Sequence, residues 1–370
     1  MDDLKYWISF HKVPGIGRAR FSALEKHFGT LESAWKASPG QLRDAGLDRR
    51  SVKSILAERD NIDPDAELEK LQRHRIKALT WNDPQYPPRL KEIYDLPPVL
   101  YVRGSLEEQD EWAIAVVGTR RPTAYGREMA EVLSEALARN RITVVSGLAR
   151  GIDSIAHKAA LAVGGRTLSV QACGLDMVYP AEHRGLAQEI MEAGALVSDY
   201  PLGIQPRSDH FPRRNRIMSG LTLGTLVIEA SEPSGALITA SYALEHNREV
   251  FSVPGSALSL KSRGTNRLIR EGAKLVTQVE DILEELNLTM VPQQLEMPEM
   301  IQATGSEASL LQFLSYEPVH IDEVTRRCNL PISTVSSTLA MMELKGMVRQ
   351  VGAMNYVKCR ETQAAYTTSA

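Results

Sequence analysis

Residues 113–121 read AIAVVGTRR, an apolar run that ends at Gly118 and discharges into Thr119, Arg120 and Arg121. An uninterrupted run of this kind suits a strand buried on both faces of a parallel sheet. Arginines at the carboxyl end of such a strand stand where an open α/β sheet takes its ligands, so they point to an anionic ligand. Residues 211–216, FPRRNR, answer with Arg213, Arg214 and Arg216 beside Phe211 and Asn215. The two stretches together read as a phosphate-binding floor.

Outward from AIAVVGTRR, short apolar runs recur at 142–145, 167–172, 195–198, 223–228, 250–253 and 274–276. Segments able to form helices lie between most of them, at 125–138, 153–162, 183–193 and 235–245. Alternation of this kind marks crossover units on a parallel sheet. Two further strand candidates, 76–81 and 99–102, flank a proline-rich segment and extend the same sheet. The expected fold is α/β, an extended Rossmann-type parallel sheet over residues 76–288.

Several strand ends carry small or hydroxyl-bearing residues. Ser146 and Gly147 lead into Arg150 and Gly151, and Ser234 and Gly235 open a helix that contains Thr239. Loops of this kind offer free N–H groups to an anion. Neither G-x-G-x-x-G nor G-x-x-x-x-G-K-[ST] occurs, so the expectation rests on the convergence of the loops.

Acid–base chemistry has candidates in Asp153, His157, Asp199 and Glu229, but no nucleophile stands beside a base. His157 follows Asp153 by four residues, which reads as an i,i+4 helix pair, while Asp153 is equally suited to cap that helix. His183, His210 and His246 lack metal-ligand spacing. Cys173 lies in an apolar run and reads as buried and inert. No catalytic residue, metal or cofactor is expected. Arginine forks beside an aromatic suit single-stranded nucleic acid, since the fork grips phosphate and the ring stacks on any base.

The series VVGTRRPTAYG (116–126), SGLARGIDSIAH (146–157), GLDMVYP (174–180), DYPLG (199–203), HFPRRNRIMSGL (210–221), EASEPSGALITASYALEHNREVFSVPG (229–255) and GTNRLIREGAKLV (264–276) resembles the DprA/Smf family of DNA-processing proteins. The resemblance implies an extended Rossmann fold that forms a homodimer, binds single-stranded DNA and hands it to the RecA recombinase during natural transformation. It also implies that Gly118, Thr119 and Arg120, with residues 211–216, line the DNA pocket. Thr119 stands where the family often has serine, and Asp209 and His210 precede Phe211 where a more basic segment would bind better. The DNA-contacting set expected is Gly118, Thr119, Arg120, Arg121, Ser146, Gly147, Arg150, Phe211, Arg213, Arg214, Asn215, Arg216, Ser234, Gly235 and Thr239. The competing class is a Rossmann-type nucleotide-processing hydrolase using Glu229 and Asp153, and a third is a RecA-docking scaffold that binds no DNA.

Composition bounds these readings. The chain has 370 residues, 43% apolar and 24% charged, and a formal net charge of -3, so affinity for a polyanion must come from local clustering. Residues 203–220 supply it, with four arginines against one acid. Three scattered cysteines, Cys173, Cys328 and Cys359, fit a reducing compartment. Neither a signal sequence nor an apolar run long enough for a membrane span is evident, so a cytoplasmic location without membrane partners is expected.

Residues 1–75 show helical spacing, with Val13-Pro14-Gly15-Ile16-Gly17-Arg18 as a tight link that resembles a helix-hairpin-helix element. A looser echo at Ser38-Pro39-Gly40 and Ala45-Gly46-Leu47 suggests a paired-hairpin or sterile-alpha-motif-like (SAM-like) domain. Residues 289–304 read as a linker, 305–360 as a winged helix, and 361–370 as a disordered tail. The expected recognition helix, 333–345, has no Arg or Lys before Lys345, which favours a docking or regulatory role over DNA reading.

Overall fold

A computed structural model describes residues 3–288, 305–315, 318–328, 330–345, 347–351 and 354–358. They fall into two compact units, Met1–Met290 and Val291–Ala370. The expected linker, the tail and Cys359 lie outside the described residues.

Apolar runs of four to six residues build a sheet that must be covered on both sides. Its strands are β1 (Lys77–Thr80), β2 (Val99–Gly104), β3 (Ala113–Val117), β4 (Thr143–Ser146), β5 (Thr167–Val170), β6 (Ala195–Ser198), β7 (Gly224–Val227), β8 (Glu249–Ser252) and β9 (Lys274–Leu275). They join in the order β1-β2-β6-β5-β4-β3-β7-β8-β9. From β6 to β9 all neighbours are parallel. The two strands read ahead of the main alternation do lengthen the sheet, but antiparallel, with β2 between β1 and β6. Every residue of β3 to β7 is buried. The order reverses between β3 and β7, and such a switch opens a crevice beyond the carboxyl ends of both strands.

Six helices precede the sheet: α1 (Leu4–Lys12), α2 (Arg18–Phe28), α3 (Leu31–Lys36), α4 (Pro39–Asp44), α5 (Arg49–Arg59) and α6 (Pro64–Arg73). Side-chain oxygens of Thr30, Ser38, Asp48 and Asp63 cap α3 to α6 and set their starts. Gly15 at φ +85° makes the tight link between α1 and α2. An aromatic cluster holds the group together, with Trp7 stacked on Phe21 at 5.4 Å and edge-on to Trp81 at 5.3 Å. This core continues into Tyr101 of β2 and Leu196 of β6, so the helices and the sheet share one hydrophobic interior.

Eight helices accompany the strands: α7 (Pro88–Lys91), α8 (Ala124–Arg139), α9 (Ile152–Ala162), α10 (Arg184–Ala193), α11 (His210–Leu221), α12 (Gly235–Glu245), α13 (Arg263–Arg270) and α14 (Glu280–Glu285). The pleat of β3 divides its side chains between two cores. Ala115 and Val117 meet Ile217, Met218, Ala236 and Ala240 of α11 and α12. Ile114 and Val116 meet Met129, Leu133, Ile152 and Ala156 of α8 and α9.

In the second unit, α15 (Gly305–Leu311), α16 (Ile321–Cys328) and α17 (Ile332–Leu344) accompany a small sheet of β10 (Val319–His320), β11 (Val348–Gln350) and β12 (Asn355–Lys358), ordered β10-β12-β11. Leu310, Leu314, Val324, Val335, Leu339 and Tyr356 form its core. This is a winged-helix domain. The cation at the end of its long helix is engaged, since Lys345 Nζ lies 2.7 Å from the buried carboxylate of Glu307. No helix among the described residues is long and apolar enough to cross a membrane.

Two imidazoles are held neutral inside the first unit. His11 Nδ1 lies 3.2 Å from the Tyr101 hydroxyl and His157 Nδ1 lies 2.6 Å from Thr167 Oγ1. Burial lowers His11 to about 4 and His157 to about 3. An unfolded chain returns both to about 6.5, so below that value it binds more protons than the folded one and stability falls as pH drops towards about 4. Thermal melts across this window should show that decline, and a His11→Gln/His157→Gln variant should show a shallower one. An equal slope in the variant would mean that the decline comes from other groups.

Candidate functional site

The turn after β3 is stitched to its neighbours through the main chain. Thr119 N donates to Glu229 O at 2.8 Å, Ile152 N donates to Thr119 O at 3.2 Å, and Arg121 N donates to Thr119 Oγ1 at 3.3 Å. These bonds fix the backbone while the side chains of Arg120 and Arg121 stay exposed. Lys261 Nζ donates to the Arg121 carbonyl and brings another cation to this edge. Glu229, a candidate acid or base, is occupied by the same junction. Its carboxylate accepts from Thr123 N at 2.9 Å and Thr123 Oγ1 at 2.8 Å, and Thr123 in turn caps α8.

The loop after β4 departs from expectation. Ser146 is fully buried and donates to Val116 O at 2.6 Å, so its hydroxyl faces the sheet. Gly147 N and Ala149 N donate to Asp153 Oδ2 at 3.2 and 3.4 Å, so these N–H groups are engaged by a carboxylate of the same chain. Arg214 explains why residue 147 is glycine, because its guanidinium occupies the space a Cβ would need. Burial pushes the Asp153 carboxyl up, and the Arg214 charge and the two N–H groups oppose that push. Asp153 sits in the first turn of α9, and His157, on the same helix, pairs with Thr167 of β5. The expected i,i+4 pair between them does not form. Arg150 is exposed but forms a forked pair with Glu182 at 2.6 and 2.7 Å.

FPRRNR lies in the first half of α11, where successive side chains point about 100° apart and cannot form one floor. Arg214 turns inward and donates to Val170 O. Arg216 also turns inward, to Asp199 at 2.5 Å and to the Asp95 carbonyl. Asn215 is buried and donates to Gly235 O at 3.3 Å. The floor of arginines is therefore corrected to three exposed ones: Arg120, Arg121 and Arg213 have no ion-pair partner among the described residues.

Phe211 stays at the surface. The Arg120 guanidinium lies over its ring at 5.6 Å, and the half-exposed Tyr179 ring lies 5.6 Å from it. At the start of α12, Ser234 Oγ accepts from Ala236 N at 3.3 Å, and Thr239 is buried with its hydroxyl directed at Gly235 O. Beside Gly235 the space is open. The structure thus brings the β3 turn, the start of α11 and the start of α12 to one sheet edge, and it takes Ser146, Arg214, Asn215, Arg216 and Thr239 into the interior. Sequence reasoning did not single out Tyr179 or Lys261. The aromatic in GLDMVYP was a signal for the first, whereas nothing local marks the second.

Cys173 is buried and free, and burial pushes its thiol up to about 12. Among the described residues no cluster of His, Cys, Asp or Glu is arranged to hold a metal ion.

Residues 77–287 match the sequence profile of DNA recombination-mediator protein A, more than half of the chain. The chain belongs to that family. Residues 296–354 match the DprA winged helix domain. Protein Smf of Synechocystis sp. is 36% identical over 95% of this chain and 98% of its own. The crystal structure of DNA processing protein A from Streptococcus pneumoniae is 37% identical, with a TM-score of 0.68 over 76% of this chain and 97% of that one. DNA processing protein A from Helicobacter pylori, whose structure concerns a unique single-stranded DNA binding mode, is 29% identical, with a TM-score of 0.52 over 58% of this chain and 97% of that one.

Gly151 supports the β3 turn from below. It sits at φ +77°, and a Cβ there would lie 2.8 Å from Arg120 Cα. Gly151→Ala should therefore destabilise this family member by about 1–3 kcal/mol. Gly164→Ala, at φ +70° with open space around it, should cost less. Calorimetric melting of both variants checks this, and equal losses would show that the β3 turn yields freely.

Proposed function

We propose that this protein binds single-stranded DNA without sequence preference at the carboxyl edge of its sheet, and that it serves RecA-dependent recombination there. The observation that carries the reading is the surface group of Arg120, Phe211 and Tyr179, a guanidinium over the Phe211 ring with the Tyr179 ring beside it, together with the exposed Arg121 and Arg213. Rings give every base a stacking surface, and guanidinium forks take the phosphates between bases. The single-stranded DNA binding mode of the Helicobacter pylori relative supports the same ligand class.

In this reading Arg120, Arg121 and Arg213 contact phosphate, Phe211 and Tyr179 stack, and the open start of α12 at Gly235 offers N–H groups. Arg214, Asn215 and Arg216 hold α11 in place. A homodimer would set two such patches on one strand and raise avidity. Protection of incoming DNA and delivery to RecA in the cytoplasm during natural transformation would follow from that grip. A hydrolase using Glu229 and Asp153 is disfavoured, because both carboxylates already accept hydrogen bonds that hold the loops.

Labelled oligo-dT and a matching duplex, titrated across a salt series, test the reading. Wild type should prefer the single strand. Arg120→Ala and Arg213→Ala should each flatten the log-log salt slope by about 0.7, and Phe211→Ala should cost about 1–3 kcal/mol with little change in slope. Equal affinity for both DNAs, or variants that bind like wild type, would sink the assignment.

A further inference from the structure

The Ala45-Gly46-Leu47 turn joins α4 to α5, and these two helices line a surface cavity of about 440 Å³. Its apolar lining comes from Pro39, Val52 and Leu56, and its cations are Arg43, Arg49 and Lys53. The three cations are exposed and have no ion-pair partner among the described residues. Arg49 and Lys53 stand one turn apart on α5, a spacing at which like charges repel. No acidic residue among the described ones lines the cavity. Asp48, which precedes Arg49, is committed elsewhere: it accepts from Ser51 N at 2.8 Å and from Arg20 at 2.7 Å.

A fourth cation stands on the same helix. The Arg59 guanidinium lies over Trp35 at 5.9 Å and donates to Ala37 O at 3.0 Å, two residues before Pro39. Its Nε and Nη2 are buried without a partner. The result is an aliphatic surface bordered by three cations with no acid in its lining, in a protein whose net charge is -3.

We propose that this groove docks an acidic amphipathic segment of a partner protein, a helix or tail whose carboxylates meet Arg43, Arg49 and Lys53 while one large apolar side chain fills the floor. The volume lies within the roughly 300–1,000 Å³ of ligand pockets, and helix-in-groove recognition uses this pairing of apolar anchor and charged rim. Nucleic acid fits less well, because no aromatic ring lines the cavity to stack a base.

The test uses the full-length chain and short fluorescein-labelled peptides of Asp, Glu and Ala. One set carries a single central Phe or Leu, and a control of equal charge carries Ala there. The anchored peptides should bind saturably, with the control weaker by about fivefold or more. Arg49→Glu/Lys53→Glu should weaken anchored binding by roughly tenfold or more, since the charged rim then repels the peptide. Leu56→Ala, checked for folding by circular dichroism, should narrow the gap between anchored and control peptides. Oligo-dT affinity should stay within about twofold in the double variant, because the DNA site lies elsewhere. Four results would overturn the proposal: no saturable binding, equal binding of the control peptide, peptide binding unchanged in Arg49→Glu/Lys53→Glu, or an oligo-dT loss in that variant. The last would assign the groove to nucleic acid, and a wild type that binds peptide but no DNA would count against the DNA site alone.

Discussion

Arg214 and Arg216 enter the protein from one helix, two residues apart, and carry charge into places that water barely reaches. Desolvation of such groups costs several kcal/mol per ion, and only close partners offset it. Arg216 finds Asp199 at 2.5 Å and the Asp95 carbonyl, and Arg214 finds the Val170 carbonyl with Asp153 as its electrostatic counterweight. Because Val170 sits on β5, Asp199 just after β6, Asp95 between α7 and β2, and Asp153 on α9, satisfying them fixes both the height and the rotation of α11. Phe211 and Arg213 then have a single place to go, the carboxyl edge of the sheet. The arginines that resemble ligand contacts in the sequence thus place the residues that stay outside.

Glu229 does comparable work across the switch point. Its main-chain carbonyl takes Thr119 N and its carboxylate takes both donors of Thr123, so the loop after β7 clasps both the turn after β3 and the start of α8. A turn held on both sides can present two unpaired arginines without collapsing onto the nearest acid. Charge repulsion between Arg120 and Arg121 is tolerable because the backbone, not the side chains, supplies the rigidity. The stack of Arg120 on Phe211 then joins the two halves of the surface.

All nine strands of the large sheet were legible in the sequence, most plainly β3 to β7, because parallel strands buried on both faces leave uninterrupted apolar runs. The winged helix was legible from the spacing of its helices and strands, and the family from long ordered motifs. The direction of each arginine was not. FPRRNR has no apolar spacing before Ile217, so nothing local says that it is helical or which arginines turn inward. His157 could not be paired correctly either. Its partner, Thr167, lies on β5 beneath the helix, and a helix-to-strand contact leaves no trace at helical spacing. Ser146 and Gly147 looked like anion donors because the sequence could not show that Val116 and Asp153 already engage them.

What distinguishes the cationic surfaces of this chain is the company the cations keep. At the sheet edge Arg120 stands over Phe211 with Tyr179 beside that ring, and an aromatic face beside a guanidinium suits planar bases between phosphates. On α4 and α5 the cations border aliphatic side chains, which offer a base nothing to stack on but give an apolar side chain a surface to pack against. On the winged helix the cation of α17 is neutralised by Glu307, so that surface presents hydroxyl and apolar side chains instead. With a net charge of -3 there is no long-range field to gather polyanions indiscriminately. Each surface must therefore recognise its ligand by contact, and the residues around the cations, more than the cations, decide which ligand that is.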